Sequence, residues 1–192
     1  MISGVEVLVV CTANVCRSPM AEALLARRMS ELGSDMTVRS AGMLGDGNPP
    51  YPEVVSAMAG YGLDVSSHRS RRVTPEDLER ADLTLAMARE NLRHAVVCAP
   101  SVWPQSFTLR ELVRRGTAIG PRAREESLAG WLARVHEGRE RAALLGDSPD
   151  DDVADPAGGP WQGYAETAAV LSGLVDRLVD LCRVSALDPT VR

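Results

Sequence analysis

Apolar positions follow two rhythms along this chain. From Val5 to Val10, with the unbroken apolar run Val7–Val10, the residues are largely β-branched and without polar alternation. That pattern predicts a strand buried on both faces. Residues 11–17 break it and read as a loop. Met20, Leu24, Leu25, Met29 and Leu32 then recur at helical spacing, and Gly33 ends the run. Ser18-Pro19 stands ahead of this helix as a predicted N-cap followed by a proline suited to the first helical position.

The two rhythms alternate onward. Residues 36–41 read as a second strand closed by Ala41-Gly42, and Leu44–Pro50 as a loop rich in Gly and Pro. A helix is predicted from Pro52 to Tyr61, stopped by Gly62, and Thr74-Pro75-Glu76 opens a shorter one. Leu83–Met87 reads as a third strand, with a helix over 88–97. Val102–Leu109 reads as a fourth strand, which Pro104 assigns to an edge. Residues 110–150 are rich in Arg and Glu and helical in stretches, notably 125–144. Ser148–Asp155 is an acidic loop. From Tyr164 an amphipathic helix carries Leu171, Leu174, Val175, Leu178 and Leu181. The fold class this predicts is α/β: a single domain over 1–185, with a four-stranded parallel open sheet, helices on both faces, a possible helical insertion at 110–148, and a frayed tail over 186–192. In such a sheet, ligands sit at the carboxyl ends of the strands, where the loop after the first strand lies.

The 192-residue length is one domain's worth. Aromatics are only 4%, so the core rests on Val, Leu, Ala and Met. All 21 basic residues are arginine, and the net charge is -5. That balance argues against a nucleic-acid partner. No stretch approaches the ~20 apolar residues of a membrane span. The N-terminus shows neither a basic region nor a signal-like apolar core, so a cytoplasmic protein is expected, a monomer or weak dimer. Four cysteines, at 11, 16, 98 and 182, then read as thiols rather than a disulfide framework. Cys98 and Cys182 read as buried packing thiols. No Cys/His cluster has zinc spacing, and neither metal nor cofactor is expected.

The chemistry concentrates in Cys11-Thr12-Ala13-Asn14-Val15-Cys16-Arg17-Ser18. Four cysteines and 21 arginines in 192 residues give about 0.4 chance pairs at this Cys-to-Arg spacing, so spacing alone is weak. Its context is specific: the cysteine directly follows a buried strand, and a helix opens just after the arginine. Such a loop turns backbone N–H groups inward as an anion-sized nest. The helix terminus adds about half a positive charge, and Arg17 adds a fork that fits two phosphoryl oxygens. Cys11, at the bottom of that well, is placed to be a thiolate nucleophile. Ser18 can donate its hydroxyl to the sulfur. Asn14 suits a left-handed backbone position and can bond its own loop. Cys16 is either loop packing or a thiol that traps oxidised Cys11.

The run VLVVCTANVCRSPMAEALL resembles the phosphate-binding loop and first helix of the low-molecular-weight protein tyrosine phosphatase family, whose fold the arsenate reductases share. Ser40-Ala41-Gly42, His68-Arg69, Ala81-Asp82 through Met87, and Asp155-Pro156 resemble further family landmarks in the same order. The resemblance covers residues 4–98 and 150–182, and 110–148 only loosely. It implies Cys11 as nucleophile and Arg17 as phosphate clamp, with Ser18 supporting the thiolate. Thr12, Ala13, Asn14, Val15 and Cys16 would form the rest of the loop, whose shape Asn14 keeps through Ser40 and His68. Asp155 would be the general acid and then the base. Neighbouring Asp150, Asp151 and Asp152 would repel charge on it and so favour a proton donor.

Three departures bear on the substrate. Ala13 replaces the usual Gly, which is costly only if that residue needs positive φ. The residues after Asp155-Pro156 and after Ser40-Ala41-Gly42 lack the family's aromatic walls; the aromatics nearest in sequence are Trp161 and Tyr51. Val15 is aliphatic, as in the tyrosine-type enzymes, where the related protein-arginine phosphatases carry Thr. The implied activity is hydrolysis of phosphomonoesters through phosphocysteine, with a phosphorylated protein or a small phosphorylated molecule as partner. The alternative is a single-cysteine, thiol-dependent arsenate reductase. A thioredoxin-coupled relay needs two further cysteines beyond the third strand, where only Cys98 stands.

Overall fold

The apolar run of the first strand faces two ways, and a core forms on each side of it. A computed structural model describes residues 4–183. In β1 (Glu6–Cys11), Val7, Val9 and Cys11 join one buried cluster, while Leu8 and Val10 join another on the opposite face. β1 is flanked in parallel by β2 (Thr37–Gly42) and β3 (Leu83–Ala86), and β4 (Ser106–Thr108) closes the far edge. The order β2-β1-β3-β4 makes β1 the strand at which the chain reverses its direction of travel across the sheet. The loop after β1 therefore opens into the crevice where such sheets bind ligands.

On one face pack α1 (Arg17–Glu31), α2 (Pro52–Ala59), α5 (Leu109–Ile119), α6 (Leu128–His136) and the long α7 (Trp161–Cys182). On the other lie α3 (Pro75–Arg80), α4 (Arg89–Cys98) and a 3-10 turn, Pro100–Gln105. This is the expected α/β architecture, with helices on both faces.

Three local expectations are corrected. The fourth strand is only Ser106–Thr108, because Pro104 sits inside the 3-10 turn and residues 102–105 belong to it. The helix expected over 125–144 is shorter: Gly138, at φ 72°, turns the chain after α6, and a second 3-10 turn covers Arg141–Leu144. Residues 110–148 are built into the main core, for Trp131, Leu132 and Val135 are buried there and Trp131 Nε1 donates to the Gly120 carbonyl at 3.0 Å. Cys98 is exposed at the end of α4, with its sulfur 3.4 Å from His94 Nε2, so it is not a packing thiol. Cys182 packs against the core, and burial pushes its thiol up to about 12. The expected frayed tail, 186–192, lies outside the described residues. Among the described residues no helix is long and apolar enough to cross a membrane.

α3, α5 and α6 carry side-chain caps from Thr74, Thr108 and Ser127. α1, α2, α4 and α7 have none of their own.

Candidate active site

α1 begins at Arg17 with Cys16 at its N-cap, and no side chain caps it. Ser18 is therefore not the cap expected from its type; it lies inside the first turn, and its hydroxyl is spent elsewhere. The amides of that turn stay available to an anion.

Cys11 ends β1 at the floor of the loop and is 2% exposed. Its Sγ receives the Asn14 N–H at 3.2 Å and lies 2.9 Å from Ser18 Oγ. Asn14 Nδ2 donates to that same Oγ at 2.9 Å, which leaves the serine proton free to point at sulfur.

Asn14 holds the loop together. It is fully buried and, at φ 55°, is the only non-glycine residue with positive φ among those described. Asn tolerates that geometry better than most residues. Ala13 needs no such backbone, so its replacement of Gly carries no left-handed strain. Asn14 Nδ2 also donates to Ser40 Oγ at 2.8 Å, and Asn14 Oδ1 accepts the Arg71 N–H at 3.0 Å. Its carbonyl accepts from His68 Nε2 at 2.8 Å. Ser40 is tied in turn to the Glu22 carboxylate. The structure thus gathers Ser40 and His68 on one residue.

Arg17 is 5% exposed and reaches across the loop. One terminal nitrogen donates to the Val153 carbonyl at 3.2 Å; the other donates to Asp155 Oδ2 at 2.5 Å and to Thr12 Oγ1 at 3.4 Å. Its Nε is buried with no hydrogen-bond partner among the described residues. A spare buried donor beside a nest of amides is what an oxyanion site requires. The Asp155 side chain is 43% exposed, at the solvent edge of this pair.

Cys16 and Val15 are buried. Burial first, then Asp155 and Cys11, push the Cys16 thiol up to about 12, so Cys16 is a neutral thiol at physiological pH. Asp151 is paired with Arg89 and Arg114, and Asp152 accepts the backbone N–H groups of Arg89 and Ser148.

Several contacts of the site were not foreseen. Gly42 faces the loop, and a Cβ there would lie 2.9 Å from Ala13 C and from Asn14 N and Cβ. Thr12 Oγ1 donates to Glu90 at 2.9 Å and accepts from Asn91 Nδ2 at 3.2 Å, so α4 holds the loop's first residue. Tyr51 donates its backbone N–H to Val15 at 3.4 Å, and its ring stands edge-on to Tyr164 with centroids 6.3 Å apart. Thr12 was legible as part of the loop and Gly42 through the Ser-Ala-Gly run; their partners Glu90 and Asn91, and the Tyr51–Tyr164 contact, depend on long-range packing. Among the described residues no group of three or more His, Cys, Asp or Glu is arranged to hold a metal.

The sequence profile of the low molecular weight phosphotyrosine protein phosphatases matches residues 6–117. A probable low molecular weight protein-tyrosine-phosphatase, EpsP of Ralstonia solanacearum, is 39% identical over 107 residues, which is 55% of this chain and 71% of that protein. A protein-arginine-phosphatase of Geobacillus stearothermophilus is 29% identical over 176 residues, 91% of this chain and 94% of that one. The crystal structure of a low molecular weight protein tyrosine phosphatase from T. tengcongensis superposes with a TM-score of 0.70 at 35% identity, covering 92% of this chain and 98% of that chain. The profile stops short of Asp155. A buried cysteine at the end of β1, an arginine at the start of α1 and the parallel sheet between them agree with all three comparisons: the chain belongs to the low molecular weight phosphotyrosine protein phosphatase family.

Proposed function

We propose that this protein is a cysteine-dependent phosphatase that hydrolyses phosphomonoesters, phosphotyrosine in proteins foremost, through a phosphocysteine on Cys11. The carrying observation is the convergence on one loop of a sulfur that receives the Asn14 N–H and lies beside the Ser18 hydroxyl, a buried guanidinium with a spare N–H, and a half-exposed carboxylate. Four unpaired cysteines fit a reducing, cytoplasmic setting.

The phosphoryl oxygens of the substrate occupy the loop amides and the Arg17 fork, which steadies charge on the phosphoryl group in flight. The Cys11 thiolate attacks phosphorus as the bond to the leaving oxygen breaks. Asp155 gives that oxygen its proton. The carboxylate then takes a proton from water, the water oxygen attacks phosphorus, the S–P bond breaks, and phosphate leaves with the thiolate restored. Without substrate, Asp155 is the partner of Arg17. A phosphate dianion takes over that guanidinium and frees the carboxyl to face the leaving oxygen. Ser18, freed by Asn14 to donate, supports the sulfur each time it becomes an anion.

The aliphatic Val15, where the protein-arginine phosphatases carry Thr, supports an aromatic ester over a guanidinium phosphate. The test is a panel of phosphotyrosine peptide, phosphoarginine peptide, small phosphates, and arsenate with added thiol. Phosphotyrosine should lead in kcat/KM. Cys11→Ser should abolish turnover while the fold persists. Asp155→Asn should cost about 100-fold or more for poor leaving groups and much less for good ones. Arsenite release that needs thiol, without phosphatase turnover, would overturn the reading.

A further inference from the structure

The loop that carries Asp155 is held by a device remote from the phosphate loop. α4 starts at Arg89 behind Ala88, which has the extended backbone of a capping residue and no side chain to cap with. Asp152 supplies the missing acceptor from a distant part of the chain: its Oδ1 takes the Arg89 N–H at 2.7 Å. The Arg89 guanidinium grips the preceding residue, Asp151, at Oδ2, through Nε at 3.1 Å and a terminal nitrogen at 2.8 Å. Arg114 of α5 takes Asp151 Oδ1 at 2.7 Å. Asp151 is only 4% exposed. A buried carboxylate with both oxygens engaged has a defined place; with one partner removed it is driven back toward water.

The tether continues toward the site. The Ser148 carbonyl accepts the N–H groups of Asp151 and Asp152, and Asp152 Oδ2 accepts the Ser148 N–H at 2.9 Å, closing the loop on itself. Val153 is buried, donates its N–H to the Met87 carbonyl at 2.8 Å, and offers its own carbonyl to Arg17 at 3.2 Å. Three consecutive residues are thus fastened to the end of β3 and the start of α4, and Asp155 projects two residues beyond.

We propose that Arg89 is a positioning residue for the leaving-group acid: its guanidinium and its backbone N–H hold Asp151 and Asp152, and through them set where Asp155 stands over the phosphate loop. The proposal rests on the reading of Asp155 as the acid. It is separate from the capping of α4, a structural service that a residue in α4's own segment could perform equally well.

The experiment measures kcat/KM on aryl phosphates of graded leaving-group acidity for the whole chain and four variants. Asp155→Asn sets the signature of a lost acid. Arg89→Met should show the same signature in weaker form, losing about tenfold on the poorest leaving group and less than about threefold on the best. Arg89→Lys keeps one charged donor for Asp151 and should recover part of the loss. In the double variant Ala88→Ser with Asp152→Ala, α4 is capped locally while the tether from Asp152 is cut. It should melt near the wild-type temperature yet remain selective against poor leaving groups, and it decides the matter even if Arg89→Met fails to fold. Equal losses at both ends of the series in Arg89→Met and the double variant, or wild-type dependence in both, would overturn the positioning role alone. An unselective Asp155→Asn would overturn the acid assignment and the positioning role with it.

Discussion

The phosphate loop and the acid loop meet at the Arg17–Asp155 pair, yet they are made in opposite ways. The phosphate loop is short, buried, and shaped by uncharged hydrogen bonds that converge on Asn14. Its position follows from β1 and α1, the elements it joins. The acid loop is acidic and gets its shape from charge: two arginines on separate helices and an unfilled helix cap. The difference matches the two chemical tasks. A nest for phosphate must keep its amides fixed through the reaction. A proton donor has to reach outward to leaving groups of different size, which suits a half-exposed side chain on a tethered loop.

Cutting the Asn14 network should have the largest effect. Asn14→Ala removes three buried side-chain hydrogen bonds at about 1 kcal/mol each and forces Ala to positive φ for about 1 kcal/mol more. Stability in urea should fall by roughly 3–4 kcal/mol, and turnover should be nearly lost because the Asn14 N–H and Ser18 no longer face sulfur correctly. Asn14→Gly should regain only the conformational part. If Asn14→Ala kept its turnover, the loop would be held by something other than this residue.

A milder break comes from outside the loop. Gly42→Ala places a methyl 2.9 Å from the backbone at Ala13 and Asn14, where only the loop can yield. Stability should drop by about 1–3 kcal/mol. Because a shift of about 1 Å can cost up to 100-fold in rate, kcat/KM should fall by about 10–100-fold with all catalytic side chains present. Inhibition by phosphate should weaken in parallel. Unchanged phosphate affinity would show that the loop absorbs the methyl without moving its amides.

How much of this was legible in the sequence follows the same division. Hydrophobic rhythm marked β1, β2, β3 and most of the helices, because each buries residues in a simple period. Cys11, Arg17 and Ser18 were legible because a strand, a tight turn and a helix start leave their signs in adjacent residues. Resemblance, not pattern, singled out Ser40, His68 and Asp155. Ser18 was misplaced as a cap because residue type reports a hydroxyl and not its partner; here the partner is sulfur. The short fourth strand was overestimated because Pro104 is as compatible with a 3-10 turn as with an edge. The arginine clasp left no local sign: Ala88 gives no hint of a cap, and aspartates in a row read as solvated charge until Arg89 and Arg114 are brought to them by the fold.

The smallest effect, and the one that separates the two loops most cleanly, is in pH. Burial pushes the Asp151 carboxyl up, but hydrogen bonds and charge from Arg114 and Arg89 outweigh it and hold it below the ordinary 3.8. Its ionised form is therefore favoured more in the folded protein than in the unfolded chain. The stability it contributes is fully present above the ordinary value and is lost as pH falls through the lowered one. Asp151→Asn should be less stable than wild type near neutrality, and the gap should close as the solution is acidified below about 4. The gap between wild type and Asn14→Ala should change far less over that range, since the bonds it removes carry no net charge. Urea titrations of the three proteins at several acid pH values give both comparisons. Parallel curves for wild type and Asp151→Asn would mean that the acid loop is held, like the phosphate loop, by neutral contacts, and the division between the two would fail at its source.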